Sequence, residues 1–301
     1  MTRPNNNPTM HIHTPGDTTP YDFVIYGASV AGILLALHQA SAGHTVLVLN
    51  PYGFPGGSIT ESLSCLQQWP EAAAPHARAL FDGLAADPYA TVYDGPEGRV
   101  LNPEVIKFTL QHALEASSVA ILFHVKARQL TLALGGLSTL SVIGKEGEFT
   151  VRTRTVVDAS DAGYLARLAG HSGRVTGARL CVFTSPVPAG ADAEIRAFPG
   201  VQQAVRLPDG RYWLALGLPA AAPTTVENQA NDRLDALTTA LAPHGARLQI
   251  VPAETQLLYA PGTPAAADAS FYFIADLLPG RTYAPQQWLQ RAADLEAAAT
   301  S

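Results

Sequence analysis

The chain has 301 residues, 47% hydrophobic and 15% charged, with a formal net charge of −6. That length carries one sizeable core or two coupled domains, and that balance excludes disorder over most of it. No basic stripe is present, which argues against nucleic acid as a partner. No run approaches ~20 uninterrupted apolar residues, so no membrane span is expected.

Residues 1–20 are rich in Pro, Asn, Thr and His. They lack the apolar core of a signal peptide and read as a flexible tail, with His11 and His13 solvated. Order begins at Tyr21. The run 21–26 reads as a buried strand ended by Gly27, 30–41 as a helix stopped by Gly43, and 46–49 as a second buried strand. This is a βαβ unit of about 30 residues. A Pro/Gly loop follows over 51–57. Segments around Ser64 and over 75–84 look helical. Asn102 and Pro103 open a further helix to about Ala116, as N-cap and N1. A strand over 119–125 comes next. Runs 130–142 and 148–154 look like antiparallel strands joined by the turn 144–147. A strand over 155–157 enters Asp158-Ala159-Ser160, and a short helix covers 162–168. From Arg179 strand-like runs (180–183, 201–205, 212–215, 248–251) alternate with Pro/Ala/Gly loops, around one helix over 226–241. A strand over 271–274 and a helix over 285–299 close the chain.

Gly27-Ala28-Ser29-Val30-Ala31-Gly32 fits G-x-S-x-x-G, a variant of the dinucleotide fingerprint. Gly27 turns the chain out of the strand, Ser29 is small where the backbone nears a pyrophosphate, and Gly32 lets helix and strand pack closely. The helix N-terminus offers free N–H groups and the positive end of its dipole. The lesser reading is a small-residue packing turn without ligand. An acidic residue for the ribose hydroxyls normally ends the second strand; here it is Asn50, which keeps one acceptor oxygen and loses the charge.

With these stretches in order, the chain resembles the FAD-dependent oxidoreductases of the glutathione-reductase-like flavoprotein fold. The run 21–50 resembles the FAD-binding βαβ unit. Gly56-Gly57-Ser58-Ile59-Thr60 is similar to the family's Gly-Gly-x-x-Thr loop near the flavin, and the helix from Asn102 to the one before the third sheet strand. The resemblance implies that 124–127, with Ala127, meets adenine through its backbone. Asp158-Ala159-Ser160-Asp161-Ala162-Gly163-Tyr164-Leu165-Ala166 resembles Asp-Ala-Thr-Gly-Asp-Gly-Asp-Leu-Ala, with Asp161 in place of a glycine. Phe273-Ile274-Ala275-Asp276 resembles the closing Gly-Asp motif, whose carboxylate bonds the ribityl chain; Ala275 replaces the glycine.

The implied fold is α/β: a discontinuous Rossmann-like FAD-binding domain (21–177 and 269–301) with an inserted β-rich substrate domain (178–268). The implied cofactor is FAD and the implied partner a small organic substrate. No second glycine fingerprint marks a nicotinamide domain. Cofactor contacts are expected at Gly27, Ala28, Ser29, Ala31, Gly32, Asn50, Gly57, Thr60, Ala127, Ala159, Ser160 and Asp276. Catalytic residues are not assigned; His124 and His171, without an orienting partner, read as structural, and Arg281 and Tyr283, just after Asp276, are faint candidates. Cys65 and Cys181 are far apart in sequence and have no metal-ligand spacing, which suits a reducing cytoplasm and no metal site. Cys65 reads as a small buried residue. Homo- or hetero-oligomers are both open. A degenerate flavoprotein-fold subunit that partners an active enzyme is the second reading, favoured by Asn50, Asp161 and Ala275. A plain NAD-binding Rossmann protein is the third, disfavoured by Asp276.

Overall fold

The computed structural model describes residues 11–12, 19–72, 74–133, 135–170, 173–260, 270–274, 277 and 283–300. Ala275, Asp276, Arg281, His13 and His171 lie outside the described residues.

In chain order, β1 (His11–Ile12), β2 (Tyr21–Tyr26), α1 (Val30–Ser41) and β3 (Val46–Leu49) come first. Then follow β4 (Leu66–Gln67), α2 (Pro75–Ala86), β5 (Thr91–Gly95), β6 (Gly98–Leu101), α3 (Pro103–Glu115) and β7 (Ala120–Leu122). A meander of β8 (Lys126–Thr131), β9 (Ser138–Gly144) and β10 (Gly147–Asp158) leads into α4 (Tyr164–Leu168).

β2 and β3 are near-continuous apolar runs because the sheet is covered on both faces; Val24, Ile25, Leu47, Val48 and Leu49 are completely buried. α1 buries Val30 through Ala36, and Ser29 caps it: the Ser29 hydroxyl accepts the Gly32 N–H at 3.1 Å. α3 starts as its sequence predicts, with the Asn102 side chain accepting the Glu104 N–H at 3.1 Å and Pro103 at N1.

The first sheet runs β1-β7-β3-β2-β10-β9-β8, with β16 (Phe271–Phe273) also on β10. β7, β3, β2, the far half of β10 and β16 are mutually parallel, the order of an open dinucleotide-binding sheet. β10 joins the antiparallel and parallel parts of this sheet. Its first half pairs antiparallel with β9, from Gly147↔Gly144 to Thr153↔Ser138, and its second half pairs parallel with β2, ending at Asp158↔Tyr26.

A second sheet is antiparallel. It is built from β11 (Arg174–Thr184), β12 (Val201–Arg206), β13 (Tyr212–Leu218), β14 (Leu248–Ile250) and β15 (Gln256–Ala260). Leu180, Val182, Leu214 and Leu216 face one way and form a core with Ile195 of α5 (Asp192–Ala197) and with Val226 and Leu237 of α6 (Pro223–Leu241). Cys181, Phe183, Trp213 and Ala215 face the other way and pack on Leu63, Cys65, Leu66 and Val100. The Trp213 indole N–H donates to the Leu63 carbonyl at 2.9 Å. Cys65 is buried as expected. Cys181, distant in sequence, lies in the same buried cluster, and both thiols are free.

The last helix, α7 (Trp288–Thr300), lies against α1 and α2. Its completely buried Glu296 accepts the His76 and Ala77 N–H groups at 2.9 and 2.6 Å, capping α2, whose own N-cap residue Ala74 has no side chain to do so.

Three sequence expectations are corrected here. No helix forms around Ser64: Leu63 takes a φ of +53° and the chain enters β4, because Leu63, Cys65 and Leu66 are pulled into the core behind the second sheet. The expected strand over 130–142 is two strands, β8 and β9, parted at Gly135 and Gly136. The expected break between 154 and 155 is absent, since β10 is continuous.

Candidate functional site

The site stands at the carboxyl ends of the neighbouring parallel strands β2 and β10. Gly27 leaves β2 with φ +102°. A Cβ there would lie 2.6 Å from the Ser160 nitrogen, so no other residue fits this crossing. At Gly32 a Cβ would meet the Gly27 carbonyl at 2.5 Å and the Ala159 methyl at 2.8 Å, which is why α1 can lie directly on the strand ends. The Ser29 hydroxyl donates to the Ala159 carbonyl at 2.8 Å while capping α1. One serine thus fixes the turn both to its helix and to the end of β10.

Asp158 organises that end. Fully buried, its carboxylate accepts the Ser160 N–H and hydroxyl and, at 2.8 Å, the Ala166 N–H. Burial raises its pKa to about 6, and these hydrogen bonds pull the other way. The Ser160 hydroxyl oxygen in turn accepts the Tyr164 N–H at 2.8 Å. Ala127 sits behind, its N–H on the Tyr26 hydroxyl and its carbonyl on the Tyr164 hydroxyl, both at 3.3 Å. Its neighbour His124, at φ +59°, lays its ring against Gly53.

Asn50 is a latch. Its Oδ1 accepts the Ala28 N–H at 3.0 Å, and its Nδ2 donates to the Phe54 carbonyl at 2.9 Å, to Glu61 Oε1 at 3.2 Å and to the Tyr52 carbonyl at 3.3 Å. A carboxylate could make only the first of these bonds. The amide is therefore what the loop after β3 requires. Gly56 donates to the Ala28 carbonyl at 2.7 Å, and the Thr60 hydroxyl closes the loop on the Pro55 carbonyl at 2.8 Å.

Asp161, where the resembled motif has glycine, reaches across the turn. Its Oδ2 accepts the Ser58 N–H at 2.8 Å and its Oδ1 pairs with Arg291 of α7. The two side chains are 8% and 6% exposed.

One cleft collects most of these groups. Gly27, Ala28, Ser29, Asn50, Gly57, Ala159 and Ser160 line it. Ala31, Gly32, Thr60 and Ala127 are buried without reaching its wall. Tyr283, a faint catalytic candidate, donates to Asp294 at 2.5 Å and does not line the cleft. The opposite wall was not foreseen from sequence: Glu227 of α6, then Glu254, Thr255 and Gln256 at the start of β15. Glu61, Tyr52, Lys126 and Arg167 complete it. Burial, reinforced by Glu254 and Asp161, pushes the Glu61 carboxyl up to about 8. Glu254 is also raised, by burial first and by Glu227 and Asp161 next, against the hydrogen bond from the Tyr52 hydroxyl. Nothing local in the sequence marks these residues, which meet only through the fold.

A parallel sheet with a capped helix N-terminus at its carboxyl edge, and an antiparallel sheet walling the cleft in front, defines a dinucleotide-binding enzyme of the Rossmann type. The model of the FAD dependent oxidoreductase family matches residues 22–213; the chain belongs to that family, whose cofactor is FAD. The fold is similar to p-nitrophenol 4-monooxygenase from Pseudomonas putida, at 15% identity and a TM-score of 0.60 over 94% of this chain and 78% of that one. It is similar to anhydrotetracycline hydroxylase from Streptomyces rimosus, at 18% and 0.59 over 94% of this chain and 63% of that one. A geranylgeranyl bacteriochlorophyll reductase-like protein from Thermoplasma acidophilum matches at 13% and 0.60, over 94% of this chain and 80% of that one. Several of the similar solved structures are longer, and the chain spans 56–63% of the length of five of them. No curated protein matches the sequence significantly. Among the described residues no helix is long and apolar enough to cross a membrane, and no cluster of metal-ligating side chains occurs.

The backbone fits the diphosphate of FAD. The α1 N-terminus opens on the cleft, and at Gly57 a Cβ would strike Ser29 at 2.7 Å, so the two loops form a cradle only a bare backbone allows. Within it, two N–H groups already serve Asn50 and Asp161.

Proposed function

We propose that the chain binds FAD in this cleft and oxidises or reduces a small organic molecule there. The carrying observation is the Ser29-capped turn of α1, clamped to Ala159 at the carboxyl edge of a parallel sheet. On this reading the diphosphate lies along Gly27, Ala28, Ser29 and Gly57 and faces the helix dipole, while the Gly27 and Ala28 N–H groups stay with Leu49 and Asn50. Ala31 and Gly32 act from behind, by letting α1 approach. Ala127 supports the adenine end and Thr60 the flavin-side loop from behind the wall, and Ala159, Ser160 and Asp276 border the ribityl chain. Asn50 contributes by holding the Ala28 loop in shape. Bound FAD supplies the electron sink or source. The FAD-binding part is 21–177 with 269–301; 178–268 supplies the substrate wall.

A second reading has its own observation. The Asp161 carboxylate occupies the Ser58 N–H and is paired with Arg291, so a chain with weak cofactor binding, acting beside an active partner, is the alternative. The visible absorption spectrum of the purified protein separates the two. Flavin bands, with about one FAD released per chain on denaturation, are expected. A colourless protein that also fails to take up added FAD would overturn the first reading and leave the second.

A further inference from the structure

Charge in the cleft is lopsided. Four carboxylates line it: Glu61, Asp161, Glu227 and Glu254. Asp161 is neutralised by Arg291. The other three are bonded to neutral groups. Glu61 accepts from the Asn50 amide, and Glu254 from the Tyr52 hydroxyl. Glu227 accepts the Thr255 N–H and hydroxyl, both at 3.2 Å. A neutral donor orients a carboxylate without cancelling its charge, so Glu227 and Glu254 carry the charge of this wall, while Glu61, raised to about 8, holds its proton at neutral pH. Two cations reach the same wall, but Arg167 is spent on the Ala162 carbonyl at 2.8 Å and on the faces of Tyr164 and Tyr259, and Lys126 is exposed.

A second, independent observation points into the same space. Gln256 is 2% exposed, lines the cleft, and has neither its amide oxygen nor its amide nitrogen bonded to any protein group. A buried amide left so costs on the order of 1–3 kcal/mol per group, a cost that a bound ligand removes. Gln256 opens β15 two residues after Glu254, with Thr255, the partner of Glu227, between them. The three residues therefore line the cleft from the β15 side.

We propose that this side of the cleft binds an organic cation: a small molecule bearing an ammonium group, held by Glu254 and Glu227, with the Gln256 amide accepting one of its N–H protons and donating to a neighbouring polar atom. An anion would meet uncompensated carboxylates, and a neutral molecule would leave them unused. A metal ion is disfavoured because the acidic groups do not converge into a ligand cluster among the described residues. As the substrate class of the enzyme, this assignment rests on the oxidoreductase reading; as a binding site it stands apart from it.

Three probes with one ring and different charge test it: benzylamine, benzyl alcohol and benzoate, titrated calorimetrically into the full chain after its flavin content has been read from the visible spectrum. Benzylamine is expected to bind roughly ten-fold or more tighter than benzyl alcohol, with benzoate not binding. Glu227→Gln, at an exposed position that folding tolerates, should cut that preference several-fold; Glu254→Gln should abolish it, and Gln256→Leu should weaken benzylamine alone. Circular dichroism and the melting temperature check each variant for folding. Equal affinity for all three probes, no binding of benzylamine, or binding untouched by folded Glu227→Gln and Gln256→Leu variants would each overturn the assignment. A flavin-loaded protein that ignores charge would sink the cation site and keep the cofactor reading; a flavin-free protein that selects benzylamine would do the reverse.

Discussion

Asn50 shows how one atom type decides a position. At the end of β3 a carboxylate could serve a ribose, but this chain spends the side chain on itself: acceptor to Ala28, donor to Phe54 and Glu61. Asn50→Asp keeps the shape and the first bond. It removes both donors and leaves the Phe54 carbonyl without its partner. We expect a loss of roughly 1–3 kcal/mol of stability by urea denaturation, the scale of a buried group left unsatisfied. We also expect no gain in FAD affinity by fluorescence titration. Unchanged stability would mean that the latch does not hold the loop. The fingerprint was legible at this scale because Gly27, Ser29 and Gly32 are neighbours in sequence, and each bears a local demand: a turn, a cap, a close approach. The role of Asn50 was not legible, because the partner that explains the amide, Glu61, lies further along the same connection and meets it only once that connection has folded back.

Elements carry the same lesson further. α1, α3 and the βαβ unit could be read from caps and periodicity, whereas the stretch near Ser64 could not, since its conformation is dictated by Trp213 and Ala215 on a sheet formed more than a hundred residues later. That stretch follows directly on Glu61, which has a measurable signature. Folded, its carboxyl keeps a proton up to about pH 8; unfolded, it releases it near 4.5. Between those values the folded state binds the extra proton, so this group's contribution is intact below about 4.5 and is lost as the pH rises toward 8. Wild type should therefore lose stability relative to Glu61→Gln by up to about 1.4 kcal/mol per pH unit across that window. Denaturation curves of the two proteins at pH 5 and pH 8 give the comparison. A difference independent of pH would show that Glu61 is ionised in the folded chain throughout.

At the scale of the whole molecule, the turn after β10 is tied to the far end of the chain. Arg291 of α7 reaches Asp161, and Glu296, one helical turn on, caps α2. Asp161→Gly restores the residue of the resembled motif and frees the Ser58 N–H, but it strands a buried guanidinium. Stability of the protein without cofactor should fall by about 3–5 kcal/mol, the usual cost of removing one partner of a buried pair. FAD affinity should rise, because the diphosphate no longer competes with a carboxylate and finds Arg291 unpaired. Thermal melts with and without FAD, beside a fluorescence titration, test both halves. A variant that is less stable and binds FAD no better would mean that Asp161 stands clear of the diphosphate.

β10 has a further consequence, for how such a gene can lengthen. Its twelve residues join the surface hairpin at Gly147 to the site at Asp158 with no break. The strand is a ruler. A codon added between Gly144 and Gly147 is absorbed in the open turn. The same codon added after Phe149 slides everything beyond it by about 3.3 Å and reverses which face each side chain meets. Insertions can thus accumulate at one end of this strand, while the register between its antiparallel and parallel halves stays fixed for as long as the Gly27 crossing is kept.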